Sequence, residues 1–334
     1  MMRQRGKTAA TLLFNWYVFG LIVLLLAFGG SIRAYSAGGD VVTHDRNITQ
    51  IGLMDTSRRD FTFAVFGDNR GSQAVFDQVL RRVGEDHTAF GVDMGDLVMQ
   101  ANQADYTRFI HQVSACAVPV VTGIGNHDVG ITGRGCYYDM LGPYYYAFTV
   151  GESRFIVLDD VDPAGLGEAQ MRWLESELSS SGGMRYRFVF MHKPLFDPRE
   201  GQAHCMENAP QAGRISQMLD QYRVTLAFAG HIHGSFQGAW GKTPYVITGG
   251  AGQQLAGNDP AHYFYNYVDV SVSPDGVKTD VAKLDTKASW FQEVILRGAW
   301  VRTTSFISAN YFVCILPIGI LYFALFFLFR PRKA

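Results

Sequence analysis

Five stretches of this chain are dominated by apolar residues for four to seven positions and then stop at glycine or a polar side chain. They are FTFAVF at 61–66, AFGVDM at 89–94, VPVVTGI at 118–124, RYRFVFM at 185–191 and VTLAFA at 224–229. Runs this short, rich in β-branched and aromatic residues, predict strands buried on both faces. Helical spacing appears between them. Over 72–86 it puts Val75, Phe76, Val79, Leu80 and Val83 on one face, and over 167–180 it does the same for Met171, Trp173, Leu174 and Leu178. Segments 104–115 and 214–222 predict two more helices. YYYAFTV at 144–150 and SRFIVLDD at 153–160 read as a hairpin turning at Gly151-Glu152. FQGAW, PYVITGG, YNYVDVSV and GVKTDVAKLD read as later short strands between Gly, Pro and Asp turns. Strands alternating with helices, then strands alone, predict an α/β fold: a two-sheet β-sandwich flanked by helices.

Two segments break this pattern by being apolar throughout. LLFNWYVFGLIVLLLAFGG at 12–30 and FISANYFVCILPIGILYFALFFLF at 306–329 carry no charge and are long enough to cross a bilayer. Arg3, Arg5 and Lys7 precede the first, and Arg330, Arg332 and Lys333 follow the second. The positive-inside bias therefore puts both termini in the cytoplasm and the body on the extracytoplasmic side, although Arg33, Arg297 and Arg302 lie on the far side. Ala34-Tyr35-Ser36 offers small residues for signal-peptide cleavage, so the first segment reads either as an anchor or as a removed leader. Both readings export the body. The expected division is an anchor or leader at 1–30, a linker at 31–58, one enzyme-sized domain at 59–286, a connector at 287–305, a transmembrane helix at 306–329 and a basic tail at 330–334.

The formal net charge of -1, with no long basic stripe in the body, makes nucleic acid an unfavoured partner. Asn47-Ile48-Thr49 is a glycosylation sequon in the linker. Of the four cysteines, Cys314 falls in the second apolar span. Export permits disulfides, and a Cys136 to Cys205 bridge is favoured over free thiols.

Each of the five strands delivers a block of polar chemistry: Gly67-Asp68-Asn69-Arg70, Gly95-Asp96, Gly125-Asn126-His127-Asp128, His192, and Gly230-His231-Ile232-His233. Hard oxygen and imidazole donors gathered at strand ends suit a pair of divalent cations holding a phosphoryl group. His127 sits beside an expected ligand and is the candidate proton donor, with Asp128 a candidate to steady its charged ring.

The order GD, GD, GNHD, lone His and GHxH over about 60–285 resembles the calcineurin-like metallophosphoesterases. The resemblance implies two divalent metal ions, Mn, Fe or Zn, and in-line attack by a metal-bridging hydroxide. It implies that Asp68 and His233 bind the first metal, that Asp96 bridges both, and that Asn126, His192 and His231 complete the second shell. Many members carry Asp-x-His in the first block, whereas this chain has Asp68-Asn69-Arg70, and Met99 stands where purple acid phosphatases place a tyrosine ligand. Arg70 either forks onto a substrate phosphate or pairs with a nearby carboxylate. His44, His87, His111 and His262 are assigned no chemistry, while His204 could line the cleft. Gly249-Gly250-Ala251-Gly252 reads as a turn near the site rather than a phosphate cradle, and Tyr144-Tyr145-Tyr146 as strand core and edge.

The expected function is therefore a membrane-anchored phosphoesterase acting on a phosphomonoester or phosphodiester, lipid-linked or derived from the cell envelope. The alternatives are a non-catalytic membrane-anchored scaffold with an impaired first metal site, and an exported nuclease.

Overall fold

The computed structural model describes residues 44–54, 60–85, 88–130 and 133–285, with isolated positions at 16, 17, 20, 21, 23, 24, 299, 303 and 320. The chain divides into two compact units, Met1–Gly39 with Arg297–Ala334, and Asp40–Leu296. Among the described residues every strand belongs to the second unit. Apart from the isolated positions, the two apolar spans, the basic ends and the candidate cleavage site lie outside the described residues. Among the described residues no helix is long and apolar enough to cross a membrane.

The elements in chain order are α1 (His44–Gly52), β1 (Phe61–Phe66), α2 (Ala74–Glu85), β2 (Phe90–Asp93), α3 (Gln103–Val113), β3 (Val120–Thr122), α4 (Gly133–Leu141), β4 (Tyr146–Val150), β5 (Ser153–Val157), α5 (Glu168–Ser180), β6 (Tyr186–Phe190), α6 (Ala209–Gln221), β7 (Leu226–Ala229), β8 (Ser235–Trp240), β9 (Thr243–Thr248), β10 (Asn266–Ser273) and β11 (Gly276–Lys283). They build a five-stranded sheet, β11-β10-β1-β2-β3, and a six-stranded sheet, β4-β5-β6-β7-β9-β8. β1, β2 and β3 run parallel, as do β5, β6, β7 and β9, and the remaining neighbours are antiparallel.

Alternation along the strands sorts side chains into three apolar layers. Between the sheets lie Phe63, Val65, Phe90, Phe155, Phe188, Phe190 and Phe228. The ring of Phe63 stacks on Phe90 at 5.4 Å and meets the edges of Phe155 and Phe188 at 5.1 Å. The opposite faces bury Ala64 and Phe66 under α2 and α3, and Ile156, Val189 and Ala227 under α5 and α6. This is why the five strands read as continuous apolar runs: both faces of each are covered. The parallel strands of both sheets end on one side of the sandwich, where ligands collect in α/β folds. Every chemical block emerges there.

The structure revises four readings. The 31–58 linker contains α1, whose Ile51 is 2% exposed and joins the layer between the sheets. α1 spans the two edge strands. Asn47 Nδ2 donates to Val120 O of β3 at 2.6 Å, and the His44 ring meets Tyr146 of β4 at 4.2 Å. The sequon asparagine is thus buried with its amide nitrogen already used. α4 was not expected, because its segment begins with glycines and has weak amphipathicity, and α6 starts at Ala209 rather than 214, capped by Asn208 with a proline in its first turn. Finally, Cys136 and Cys205 are free thiols. Cys136 packs against the apolar layer beneath α2 and α3, whereas Cys205 lies in the loop bearing Asp197 and Glu207, so they face different surroundings.

Asn47→Ala removes the side-chain bond from α1 to the β3 edge at Val120 and leaves Val120 O without that donor. We expect a loss of about 1–3 kcal/mol in unfolding free energy by urea titration.

Candidate metal centre

The loops after β1, β2 and β3 interlock before any ligand is considered. Asp68 N donates to Gly95 O at 3.0 Å and Arg70 N to Asp96 O at 2.9 Å. Gly95 has φ +99°, and a Cβ on it would lie 2.4 Å from Gly125 N, so the second and third loops approach as only glycines allow. Asp68, Arg70, Asp96 and His231 all have positive φ, between 42° and 66°. Strained backbone of this kind persists where surrounding bonds over-determine it.

Asp128 supplies many of those bonds. Its fully buried carboxylate accepts from Asp96 N at 2.9 Å, Leu97 N at 3.0 Å, Val98 N at 3.3 Å and Gly125 N at 2.8 Å. Burial and then the Asp96 charge push its pKa up to about 8, against the pull of these amides. The expectation that Asp128 steadies the His127 ring is therefore corrected: its oxygens face the backbone of two loops, and it ties the Asp96 loop to the Asn126 loop. Asp160 does the same after β5, accepting from His192 N at 2.9 Å and Lys193 N at 2.7 Å, with its pKa pushed up to about 7 by burial.

On this frame Asp68, Asp96 and His233 each present one ligand atom, all within 4.8 Å of one another. His192 Nε2 lies 2.9 Å from Asn126 Oδ1, 3.2 Å from His231 Nδ1 and 3.4 Å from Asp96 Oδ1, so Asp96 adjoins both groups. The tautomers follow from the carbonyls behind the rings. His192 Nδ1 donates to Met94 O at 3.1 Å and His233 Nδ1 to Gln254 O at 2.8 Å, which leaves each Nε2 a bare lone pair aimed into the site. No proton then fills the gap between His192 Nε2 and Asn126 Oδ1. Asp68 Oδ2 accepts from His231 N, but Oδ1 is buried with no hydrogen-bond partner. Burial, followed by the neighbouring Asp96 charge, raises the Asp68 pKa well above the carboxylate range. Burial also holds His192 and His231 below the usual histidine value and lowers His233 to about 4, so the rings are neutral and able to ligate a cation. An orphaned carboxylate oxygen, converging lone pairs and neutral imidazoles fit a pair of divalent cations.

His127 stands at the edge of this cluster, its side chain 40% exposed and its Nε2 3.9 Å from Asp96 Oδ2. Its backbone N–H donates to Asp96 Oδ1 at 2.8 Å. Among the described residues Arg70 pairs with no carboxylate: its Nη2 sits 3.1 Å from His127 Nδ1. A guanidinium only donates, so Nδ1 accepts and the neutral ring carries its proton on Nε2, on the Asp96 side. Burial lowers the His127 pKa, and Arg70 adds to this while Asp96 opposes it. His204 lies flat on His231, ring centres 3.9 Å apart and planes 4° from parallel, which places it at the cleft. Gly249-Gly250-Ala251-Gly252 is a turn wrapped on the Asp68 loop, with Ala251 N donating to Gly67 O.

All nine site candidates thus fall in one connected cluster. Sequence reasoning missed Asp160, Lys193 and the buried Asp93, which accepts from Asn69 Nδ2 at 2.9 Å. The available signal was an acidic residue at or just beyond the end of an apolar strand, in AFGVDM and SRFIVLDD.

Fold and site together define a dimetal α/β-sandwich hydrolase centre. The Calcineurin-like phosphoesterase family model matches residues 61–235, just over half of the 334 residues, and the chain belongs to that family of phosphoric-ester hydrolases with dinuclear metal centres. Serine/threonine-protein phosphatase CPPED1 of Homo sapiens is 29% identical over 172 residues, 47% of this chain and 54% of that protein. Fe(3+)-Zn(2+) purple acid phosphatase 12 of Arabidopsis thaliana is 24% identical over 156 residues, 46% of this chain and 32% of its own. The crystal structure of a dimetal phosphatase from Danio rerio shares the fold, with a TM-score of 0.54 and 15% identity over 67% of this chain and 96% of that one. The chain spans about half the length of the human relative.

The raised carboxylates set a pH dependence. In the unfolded chain they ionise near 3.8, but folded Asp160 and Asp128 hold protons to about 7 and about 8, and Asp68 and Asp93 are shifted the same way. Below about 6.5 the buried histidines act the other way, since His127, His192, His231 and His233 are neutral when folded but bind protons when unfolded. The folded state therefore binds more protons above about pH 6.5, and stability of the metal-free protein should fall as pH rises from about 6.5 to about 8. Urea midpoints measured in chelator across that range test this; a rising midpoint would contradict it.

Proposed function

We propose that this chain is a metal-dependent phosphoesterase. One divalent cation would be held by Asp68, Asp96 and His233, and a second by Asp96, Asn126, His192 and His231. The observation carrying this reading is the convergence of Asp68, Asp96 and His233 ligand atoms within 4.8 Å around a buried oxygen that lacks a partner. Manganese, iron and zinc all suit this mixed oxygen and nitrogen set. When bound, the cations would supply Lewis acidity toward the phosphoryl oxygens and an activated water.

The chain's own groups do the rest. His127 directs its Nε2–H as a hydrogen-bond donor to the departing oxygen, which takes its proton from solvent, and Arg70, by occupying Nδ1, keeps that N–H on the side where it is needed. Arg70 Nε is buried, but the outer nitrogens of the guanidinium would serve a phosphoryl oxygen as well as the imidazole. Asp128 has no proton-transfer role and acts through the backbone.

The uncharged stretches at 12–30 and 306–329, flanked by basic ends, support membrane attachment with the site on the extracytoplasmic side. A site held near a bilayer suits a lipid-linked or envelope-derived phosphate ester. Anchoring predicts that the full chain hydrolyses a phospholipid-linked ester in vesicles faster than a body lacking both ends does, while the two act equally on soluble esters. Equal rates on both substrates would remove the lipid-linked reading.

Hydrolysis of nitrophenyl phosphate mono- and diesters, chelated and with Mn²⁺, Fe²⁺ or Zn²⁺ restored, tests the activity. His127→Ala should lower kcat by about 10²–10³-fold with metal content retained. Arg70→Gln should lower kcat and raise KM together. Turnover that ignores chelation, or survives His127→Ala, would overturn the assignment.

A further inference from the structure

The segment 194–206 leaves the His192 turn, folds over the cleft and returns to α6, and its two ends are tied at one point. Lys193 at its start is 2% exposed. Its Nζ lies 2.8 and 2.7 Å from the two carboxylate oxygens of Glu207 at the far end, and donates to Val161 O at 3.2 Å. Met206 N donates to Pro194 O at 2.8 Å, so backbone and side chain close the same gap. A compact loop with adjoining ends and internal packing is an Ω-loop, a shape often put to functional use. Inside it, Asp197 accepts from the Arg199 guanidinium at 2.8 Å and from His204 N at 2.8 Å. That bond aims His204, whose ring covers His231. Leu195 and Met206 anchor the loop in the apolar layer under α5 and α6.

We propose that the Lys193–Glu207 ion pair is a clasp that sets the pose of the 194–206 loop over the metal centre, and through it the affinity for the phosphate ester. Lys193 is a positioning residue. This rests on the phosphoesterase reading above. The two partners are unequal: the ammonium is buried, while the Glu207 side chain is 50% exposed. Separating a buried ion pair leaves a charge without a partner, so the pair is maintained as long as the loop stays down. Asp160 gives the clasp a fixed base, because it holds the amides of both His192 and Lys193. The metal-bearing turn and the loop above it therefore share one buried support.

Lys193→Met in the full chain keeps the buried stem and frees Glu207 to solvent. Three readouts apply: nitrophenyl phosphate kinetics, competitive inhibition by inorganic phosphate, and trypsin cleavage after Arg199 within the loop. The clasp requires KM and the phosphate inhibition constant to rise together by about tenfold, kcat to stay within about twofold, and Arg199 cleavage to accelerate by about tenfold, with metal content unchanged. Glu207→Gln, a change at the half-exposed partner, should move the same quantities in the same direction and serves if Lys193→Met does not fold. Unchanged KM and unchanged cleavage would overturn the clasp. So would a fall in kcat and metal content at constant KM, which would confine Lys193 to the His192 turn. A wild-type chain without turnover would refute the phosphoesterase reading by itself; trypsin would still report on the clasp, with equal cleavage of wild type and variants refuting it.

Discussion

Fully buried carboxylates at the meeting point of two sheets impose the constraint around which this molecule is organised. Asp68, Asp93, Asp96, Asp128 and Asp160 are each at most 1% exposed. Water cannot stabilise their charge, so each must find donors, protons or cations. Asp128 and Asp160 find backbone amides, and in doing so knit together loops that come from different strands. Asp93 finds Asn69. Asp68 keeps one oxygen with no partner, and that oxygen faces Asp96 and His233. The outer acids thus spend protein donors on fixing the geometry, and the inner ones are left for metal.

The fold follows from the same demand. Loops that approach as closely as Gly95 and Gly125 need rigid bases, and these are parallel strands buried on both faces. The phenylalanines around Phe63 lock the two sheets face to face, so that strand ends from both arrive at one site. Positive φ at Asp68, Asp96 and His231 is the local cost of turning side chains back toward the centre, and the amide bonds to Asp68 and Asp128 offset it.

The sequence revealed what depends on local pattern. FTFAVF and VTLAFA are unmistakable as doubly covered strands, and a histidine or aspartate straight after a strand and a glycine can only lie at its end. What it concealed depends on tertiary partners. α1 has a short apolar face within polar surroundings, and its reason to be helical is the pair of strand edges it covers. α4 opens with glycines and is held by Tyr137 in the core. Asp128 looked like a partner for the adjacent imidazole because neighbours in sequence invite that reading, yet its donors come from residues up to 32 positions away. The Cys136 to Cys205 pairing failed for the converse reason: two loops near one site need not face each other.

The number of divalent cations bound per chain tests the central claim most directly, because each inner acid needs one to balance it. Equilibrium dialysis of the chelated, refilled protein with elemental analysis would count them. Two per chain, falling toward one in Asp68→Asn, is the expected result, since that change removes a charge from the group formed with Asp96 and His233. One cation in the wild type, unaffected by Asp68→Asn, would show that the buried oxygen of Asp68 is not a metal ligand and would contradict the dimetal centre.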